Sequence, residues 1–195
     1  MRLAIFDFDK TITTRDSLID FLYHAMGPLK FFIGALYLSP LLILHKTGFI
    51  RNDKTKEMVL GYFFKGCQQE KFQNLASLYS QHHLPAIIRG SALEKIRWHQ
   101  AQGHQIVIVS ASLDNYLTGF CRGINADLLA TALEFKEGRF SGKLATANCY
   151  GQEKVRRLQE HYDLKKFDHI YAYGDSPSDL ALKSIAHEFH YRSFH

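Results

Sequence analysis

Residues 2–13 read RLAIFDFDKTIT. A short apolar run ends in two aspartates that flank a phenylalanine, followed by a lysine and a threonine. Leu3–Phe8 has the composition of a strand buried on both faces. A strand that ends in carboxylates is unusual unless something at its end needs them. Side chains two apart on a strand point to the same side, so Asp7 and Asp9 are expected to face one site.

The rest of the chain repeats the pattern of strand then helix. QIVIV (105–109) reads as a second buried strand, closed by SAS, and HIYAY (169–173) as a third, closed by GDSPSD. Helices are expected over about 113–122 and 151–162, and another from Pro177, with EFHYR as a last short strand. SALEKIRWHQAQG (91–103) reads as a helix with a Ser91/Glu94 capping box and Gly103 as its stop. LLATALEFKEGRFSGKLA (128–145) reads as a short strand followed by a hairpin. Alternating strands and helices imply an α/β fold, a Rossmann-like parallel sheet with helices on both faces. Residues 14–85 break the pattern, with helix over 17–37 (interrupted at Gly27-Pro28) and 53–80 and no strand. They are expected to form a helical cap inserted into a core of residues 1–13 and 86–195.

Composition narrows the function classes. The chain has 195 residues, 46% of them hydrophobic, with a net charge of +5 and a pI of about 9.0. That fits one domain carrying an insertion. A mild basic excess suits an anionic substrate or a membrane surface; no dense Lys/Arg run appears, so nucleic acid is not expected as a partner. Three separated cysteines and no CxxC point to neither a disulfide framework nor a zinc site. The start of the chain runs straight into the first strand, so a cytoplasmic location is expected.

In open α/β sheets, ligands sit beyond the carboxyl ends of the strands. There the sequence places Asp7 and Asp9, Ser110, and Asp175 with Asp179, and Lys154 lies near the start of the preceding helix. Acids, a hydroxyl and an ammonium at one sheet edge make a magnesium and phosphate site. Each residue has a plainer reading alone: an Asp after a strand is often a turn residue, Ser110 a loop serine, Lys154 a solvated lysine like its neighbours Arg156 and Arg157. Asp179 also fits as the partner of an N-cap at Ser176, with Pro177 following. Their joint occurrence argues for the site.

In order and spacing these pieces resemble the four motifs of the haloacid dehalogenase superfamily: DFDKT for the first, Ser110 after VIV, Lys154 in GQEKV, and GDSPSD for the last. The cap position and the stretch GRFSGKL look most like the phosphoserine-phosphatase-like subfamily IB. The resemblance implies a magnesium-dependent phosphatase. In it Asp7 is the nucleophile that forms an aspartyl-phosphate and Asp9 is the general acid and base. Thr11, Ser110 and Lys154 lie around the phosphoryl group, with Thr11 orienting the loop. Asp7, the backbone carbonyl of Asp9, and Asp175 hold Mg2+, with Asp179 in support. By position Asp16 resembles the cap acid that contacts the amino group of phosphoserine, one carbon shorter than the usual Glu. As an N-cap of the first cap helix it has a structural reading too. No clear match appears for the arginine that would grip a substrate carboxylate.

The substrate stays open between a small phosphometabolite, such as a phosphoserine-like compound, and a lipid. FFIGALYLSPLLIL (31–44) is apolar all round. With 14 residues and Pro40 inside, it is shorter than the roughly 20 residues of a membrane span. It reads either as a buried cap helix or as a peripheral contact with a bilayer or an acyl chain. From Lys30 to Lys71 there are seven Lys or Arg against three Asp or Glu, which favours an anionic surface. Some bacterial members of the subfamily resemble this apolar cap and act on phosphatidylglycerophosphate. Two rivals come from other classes, a phospho-accepting signalling domain and an inactive lipid-binding module. The cap and GDSPSD argue against the first, the intact acids against the second.

Overall fold

The computed structural model describes residues 1–194. Five parallel strands form one sheet in the order β3-β2-β1-β6-β7: β1 is Arg2–Phe6, β2 Gln105–Leu113, β3 Asp127–Thr131, β6 His169–Gly174 and β7 Glu188–Tyr191. The expected α/β sheet is therefore present. β1 lies at its centre, and alternation along it serves both faces. Ala4 and Phe6 join a core with Ile106, Ile108, Ile96 and Leu117, whereas Leu3 and Ile5 join another with Val107, Val109, Val155 and Leu158. Apolar demand on both sides explains why the strand reads as a continuous run.

On the first face lie α5 (Gly90–Ala101) and α6 (Asp114–Gly123), and on the second α7 (Gln152–His161). α5 starts one residue before the expected cap. Arg89 stands at its N-cap without a side-chain bond to the helix, and its guanidinium donates to the carbonyls of Thr13 and Phe194 instead. The Ser91/Glu94 capping box is thus corrected, since Ser91 lies inside the first turn. Gly103 does end that segment, with φ +70°.

Residues 17–82 hold four helices: α1 (Ser17–Met26), α2 (Pro28–Lys46), α3 (Asn52–Phe64) and α4 (Gln69–His82). The single helix expected over 53–80 is two, broken at Gly66 with φ +80°. The break lets the backbone meet the antiparallel hairpin β4 (Leu133–Lys136) and β5 (Arg139–Leu144), through Gly66 N–H to the Phe140 carbonyl and Phe140 N–H to the Cys67 carbonyl.

α2 overturns two expectations. It runs unbroken through Pro40 for 19 residues, long and apolar enough to cross a membrane by length and composition. A proline removes the N–H that the carbonyl four residues back would accept. Here that carbonyl belongs to Leu36, and the Ser39 hydroxyl donates to it at 2.8 Å. Nor is α2 a buried helix. Leu38 and Leu41 are buried, but Leu29, Ile33, Leu36, Tyr37 and Ile43 are 55–77% exposed. Gly34 explains how α2 seats on α3, because a side chain there would collide with the rings of Phe63 and Tyr62.

Candidate active site

Asp7 follows the last residue of β1, and its amide still donates to the Tyr173 carbonyl of β6 at 2.9 Å. After it the chain turns. Lys10 takes φ +62°, a left-handed conformation that disfavours most side chains. Asp7 and Asp9, on either side of Phe8 just past the end of β1, line one cavity. Asp7 is buried; Asp9 is half-buried.

The Asp7 carboxylate is held on both oxygens. Lys154 donates to Oδ1 at 2.5 Å, and Thr11 donates to Oδ2 at 2.9 Å. Lys154 also donates to Asp179 Oδ1 at 2.6 Å. Its side chain is 2% exposed, beside 8% for Asp7 and 1% for Asp179, so a buried ammonium bridges two buried carboxylates. Burial alone would lower the pKa of Lys154, but the two carboxylates outweigh it and hold the lysine above its ordinary range. Burial pushes Asp7 up to about 7, opposed by Lys154 and reinforced by the charges of Asp179 and Asp9.

Asp179 is fixed further by its other oxygen, which accepts from the amides of Asp175 and Ser176 and from the Ser176 hydroxyl. The Ser176/Asp179 capping box read from the sequence is present, on a 3-10 turn over Pro177–Ser184. Gly174 makes room for it, since a Cβ there would overlap the Asp179 side chain. Carboxylate oxygens of Asp7, Asp175 and Asp179 lie within 4.8 Å of one another. All the donors of this cluster are hard oxygens. The set fits a divalent cation such as magnesium. Asp179 accepts four of these hydrogen bonds and Asp7 two, so Asp7 keeps more lone-pair capacity for a cation.

The remaining expected residues fall unevenly. Ser110 is fully buried and accepts from the Ser112 amide at 3.0 Å; it does not line the cavity, whereas Ala111 and Ser112 do. The register of β2 on β3 shifts between Ser110 and Leu113. Such a bulge turns side chains off their regular face. Ser112 thereby donates to Asp9 Oδ2 at 2.5 Å and accepts from the Ser17 hydroxyl at 3.0 Å, while the Ser17 amide donates to Asp9 Oδ1 at 2.7 Å. Asp16 lines the cavity and caps α1, accepting from the Ile19 amide at 3.0 Å. Burial, then the charge of Asp9, raises its pKa. Arg157 is not the solvated residue expected, since its guanidinium donates to the carbonyls of Ala130 and Ala147.

Sequence reasoning missed Ser112 and Ser17, and also Lys56 of α3. Lys56 reaches across the cavity to donate to the Ala111 carbonyl at 2.5 Å and to Asn148 Oδ1 at 2.8 Å. Both acceptors are neutral. Burial lowers its pKa to about 8 against the pull of Asp9 and Asp16. The S-x-S spacing at 110–112 was a signal for Ser112; for Lys56 only the fold supplies one.

A model of haloacid dehalogenase-like hydrolases matches residues 4–183. Protein CicA of Caulobacter vibrioides is 38% identical over 197 residues, covering 98% of this chain and 86% of its own length. A probable phosphatase of Mycobacterium tuberculosis is 24% identical over 94% of this chain and 66% of its own. A phosphoserine phosphohydrolase-like protein from Francisella tularensis has the same fold, with a TM-score of 0.70, 19% identity and coverage of 97% and 86% of the two chains.

Removing one partner of a buried ion cluster leaves an uncompensated charge and costs about 3–5 kcal/mol. Lys154→Met is expected to lower the unfolding free energy by that amount in metal-free buffer, with a correspondingly lower urea midpoint. Arg156→Ala, two positions on and paired with Glu153 at the surface, should leave the midpoint unchanged. Equal effects in urea titrations would remove the bridge from the basis of the fold.

Proposed function

The chain belongs to the haloacid dehalogenase-like hydrolases, and from that premise we propose that it is a magnesium-dependent phosphatase acting on phosphate monoesters through Asp7. The observation that carries this is the buried bridge of Lys154 between Asp7 and Asp179 beside Asp175. It supplies a carboxylate nucleophile, fixed cationic charge and oxygen ligands within one cavity. The relatives named as phosphatases support the same reading.

Hydrolysis of a phosphate monoester is slow because its transition state must be held in line and its charge compensated. An Asp7 oxygen attacks phosphorus, the ester oxygen departs, and the phosphoryl group stays on Asp7. The hard step is thereby split in two. Asp9, oriented by the Ser17 amide and the Ser112 hydroxyl, gives a proton to the leaving oxygen. It then takes one from the water that attacks the aspartyl-phosphate. Magnesium, when held by Asp7, Asp175 and the backbone carbonyl of Asp9, compensates phosphoryl charge and keeps Asp7 ionised. Lys154 fixes the direction of the Asp7 carboxylate and adds positive charge where water is scarce. Residues 14–85 act as the cap, with the hairpin against them, and Lys56 brings their cation to the phosphate.

Asp7→Asn should reduce turnover of para-nitrophenyl phosphate by several orders of magnitude with the fold intact. Asp9→Asn should be comparably severe, since an amide cannot donate and retrieve a proton. Near-normal rates in either variant would sink the corresponding role.

The metal has a readout apart from activity. Ligands that bind only the native state raise its stability, so magnesium should raise the melting temperature of the native protein and fail to do so for Asp175→Asn. An identical shift in both would place the cation elsewhere.

Lys56 has a pH signature. With a pKa near 8, it is charged below that pH and neutral above it. KM for an anionic substrate should rise as pH passes about 8, and Lys56→Met should show a raised KM with no inflection there. An inflection that survives in Lys56→Met would assign it to another group.

A further inference from the structure

We propose that Tyr116, a buried residue of α6, is a positioning residue for proton transfer to the leaving group: its hydroxyl heads a chain of three hydroxyls that aims the Asp9 carboxylate. The inference rests on the phosphatase reading above and adds to it a residue that touches no reacting atom. Ser112, at the bulge near the end of β2, and Tyr116, in the first turn of α6, are four positions apart. Both meet Ser17, the first residue of α1. The Tyr116 hydroxyl lies 3.1 Å from Ser17 Oγ, Ser17 Oγ lies 3.0 Å from Ser112 Oγ, and Ser112 Oγ lies 2.5 Å from Asp9 Oδ2. Asp9 and Ser112 line the cavity; Ser17 and Tyr116 are 0% exposed and do not. Packing alone does not ask for hydroxyls here. Alanine at 17 and 112 and phenylalanine at 116 would fill nearly the same space, and removing bonded polar groups together costs little. What the three hydroxyls share is the acid at one end.

Counting protons fixes the direction of the chain. An ionised carboxylate only accepts, so Ser112 gives its one proton to Asp9. Ser17 gives its one proton to Ser112. Tyr116 must then donate to Ser17. Burial, then the charge of Asp9, raises the pKa of Tyr116, so the phenol keeps the proton that it donates. A serine hydroxyl otherwise rotates to suit its surroundings. Here the Ser112 proton cannot turn back toward Ser17, whose own proton points at it, and each bond polarises the next. Ser17 also supplies the other contact. The first amides of a helix have no partner within it, and that of Ser17 donates to Asp9 Oδ1 at 2.7 Å. Both oxygens of Asp9 are thus fixed by way of Ser17, one directly and one through Ser112, and Tyr116 secures the second. Each oxygen keeps a lone-pair site for the proton that Asp9 passes to the leaving oxygen and takes from water. Misplacing a catalytic group by about 1 Å can cost about a hundredfold in rate, which is the loss that such a chain guards against.

The test compares two esters of similar size with magnesium present. The alkoxide of benzyl phosphate needs a proton as it leaves, whereas para-nitrophenolate leaves without one. With a covalent intermediate, kcat/KM reads only the steps through departure of the leaving group, so it isolates the first proton transfer. Tyr116→Phe keeps the ring that packs against Phe21 and Tyr79 and removes only the hydroxyl. Its kcat/KM should fall about tenfold for benzyl phosphate and stay within about twofold of native for para-nitrophenyl phosphate. Ser17→Ala breaks the chain one link nearer to Asp9 and should show the same contrast, and it carries the test if Tyr116→Phe does not fold. Adding Tyr116→Phe to Ser112→Ala should lower kcat/KM for benzyl phosphate no further than Ser112→Ala alone, because the tyrosine acts through that serine. Equal losses on the two esters would make Tyr116 a structural residue and overturn the proposal. Native rates on benzyl phosphate in Tyr116→Phe, or a further drop in the double variant, would overturn it too. In each of these cases the phosphatase reading stands. If the native chain hydrolyses neither ester, that reading falls and the positioning role with it.

Discussion

The arrangement of the site depends on one ammonium. Lys154 is buried in α7 and reaches Asp7, 147 positions earlier, and Asp179, 25 positions later. A lysine so far from water is tolerable only if paired, and so are the two carboxylates. Each member therefore constrains the others. α7 must pack so that its first turn meets the end of β1, and the turn after β6 must fold back. Gly174 permits that fold, and the amides of Asp175 and Ser176 secure it. Asp175 is delivered beside Asp7 as a consequence. The cluster gathers three carboxylates of hard oxygen donors in one place, the chemistry that a divalent cation such as magnesium prefers.

Much of this was legible in the sequence, and the physical reason is that buried parallel strands leave a plain signature. RLAIF, QIVIV and HIYAY must serve two faces at once and so run apolar or aromatic after their first residue, which made both strand and sheet readable. Asp7 and Asp175 were readable because each stands where an apolar run stops, and Lys154 and Asp179 from their places relative to the next helix and to Asp175. What was lost concerns geometry that periodicity does not carry. The bulge in β2 brings Ser112 to the cavity wall beside Asp9, and a bulge has no reliable mark in one sequence. Arg157 reads like Arg156, yet only one of them finds backbone carbonyls to hold. The helix break at Gly66 follows from a hairpin some 70 residues away, so local propensity could not supply it.

α2 shows how far composition alone can mislead. All-round hydrophobicity usually means burial on all sides, and Pro40 usually means a helix end. Both rules fail here for identifiable reasons. Ser39 satisfies the carbonyl that the proline leaves without a donor, so the helix continues. Gly34 lets it sit tightly on α3 along one line, while another stripe lines the cavity and the rest stays in solvent. The sequence recorded the sum of these environments and could not separate them.

The two lysines of the site are held in opposite ways, and the contrast bears on how a cap can serve a two-step reaction. Lys154 is tied to carboxylates on the core, by interactions that strengthen as water leaves. Lys56 comes from the cap and is tied to a carbonyl and an amide oxygen, both neutral. A dianionic phosphoryl group is a better partner than either. Burial already depresses the pKa of Lys56, so an incoming anion gains from it more than a solvated lysine would offer. Its present bonds to Ala111 and Asn148 cross from cap to core, and they would be exchanged, not simply lost, when phosphate arrives. On the proposed mechanism, the charge of Lys154 stays fixed within the core, and the charge offered to the incoming phosphate comes from Lys56 on the opposite side of the cavity.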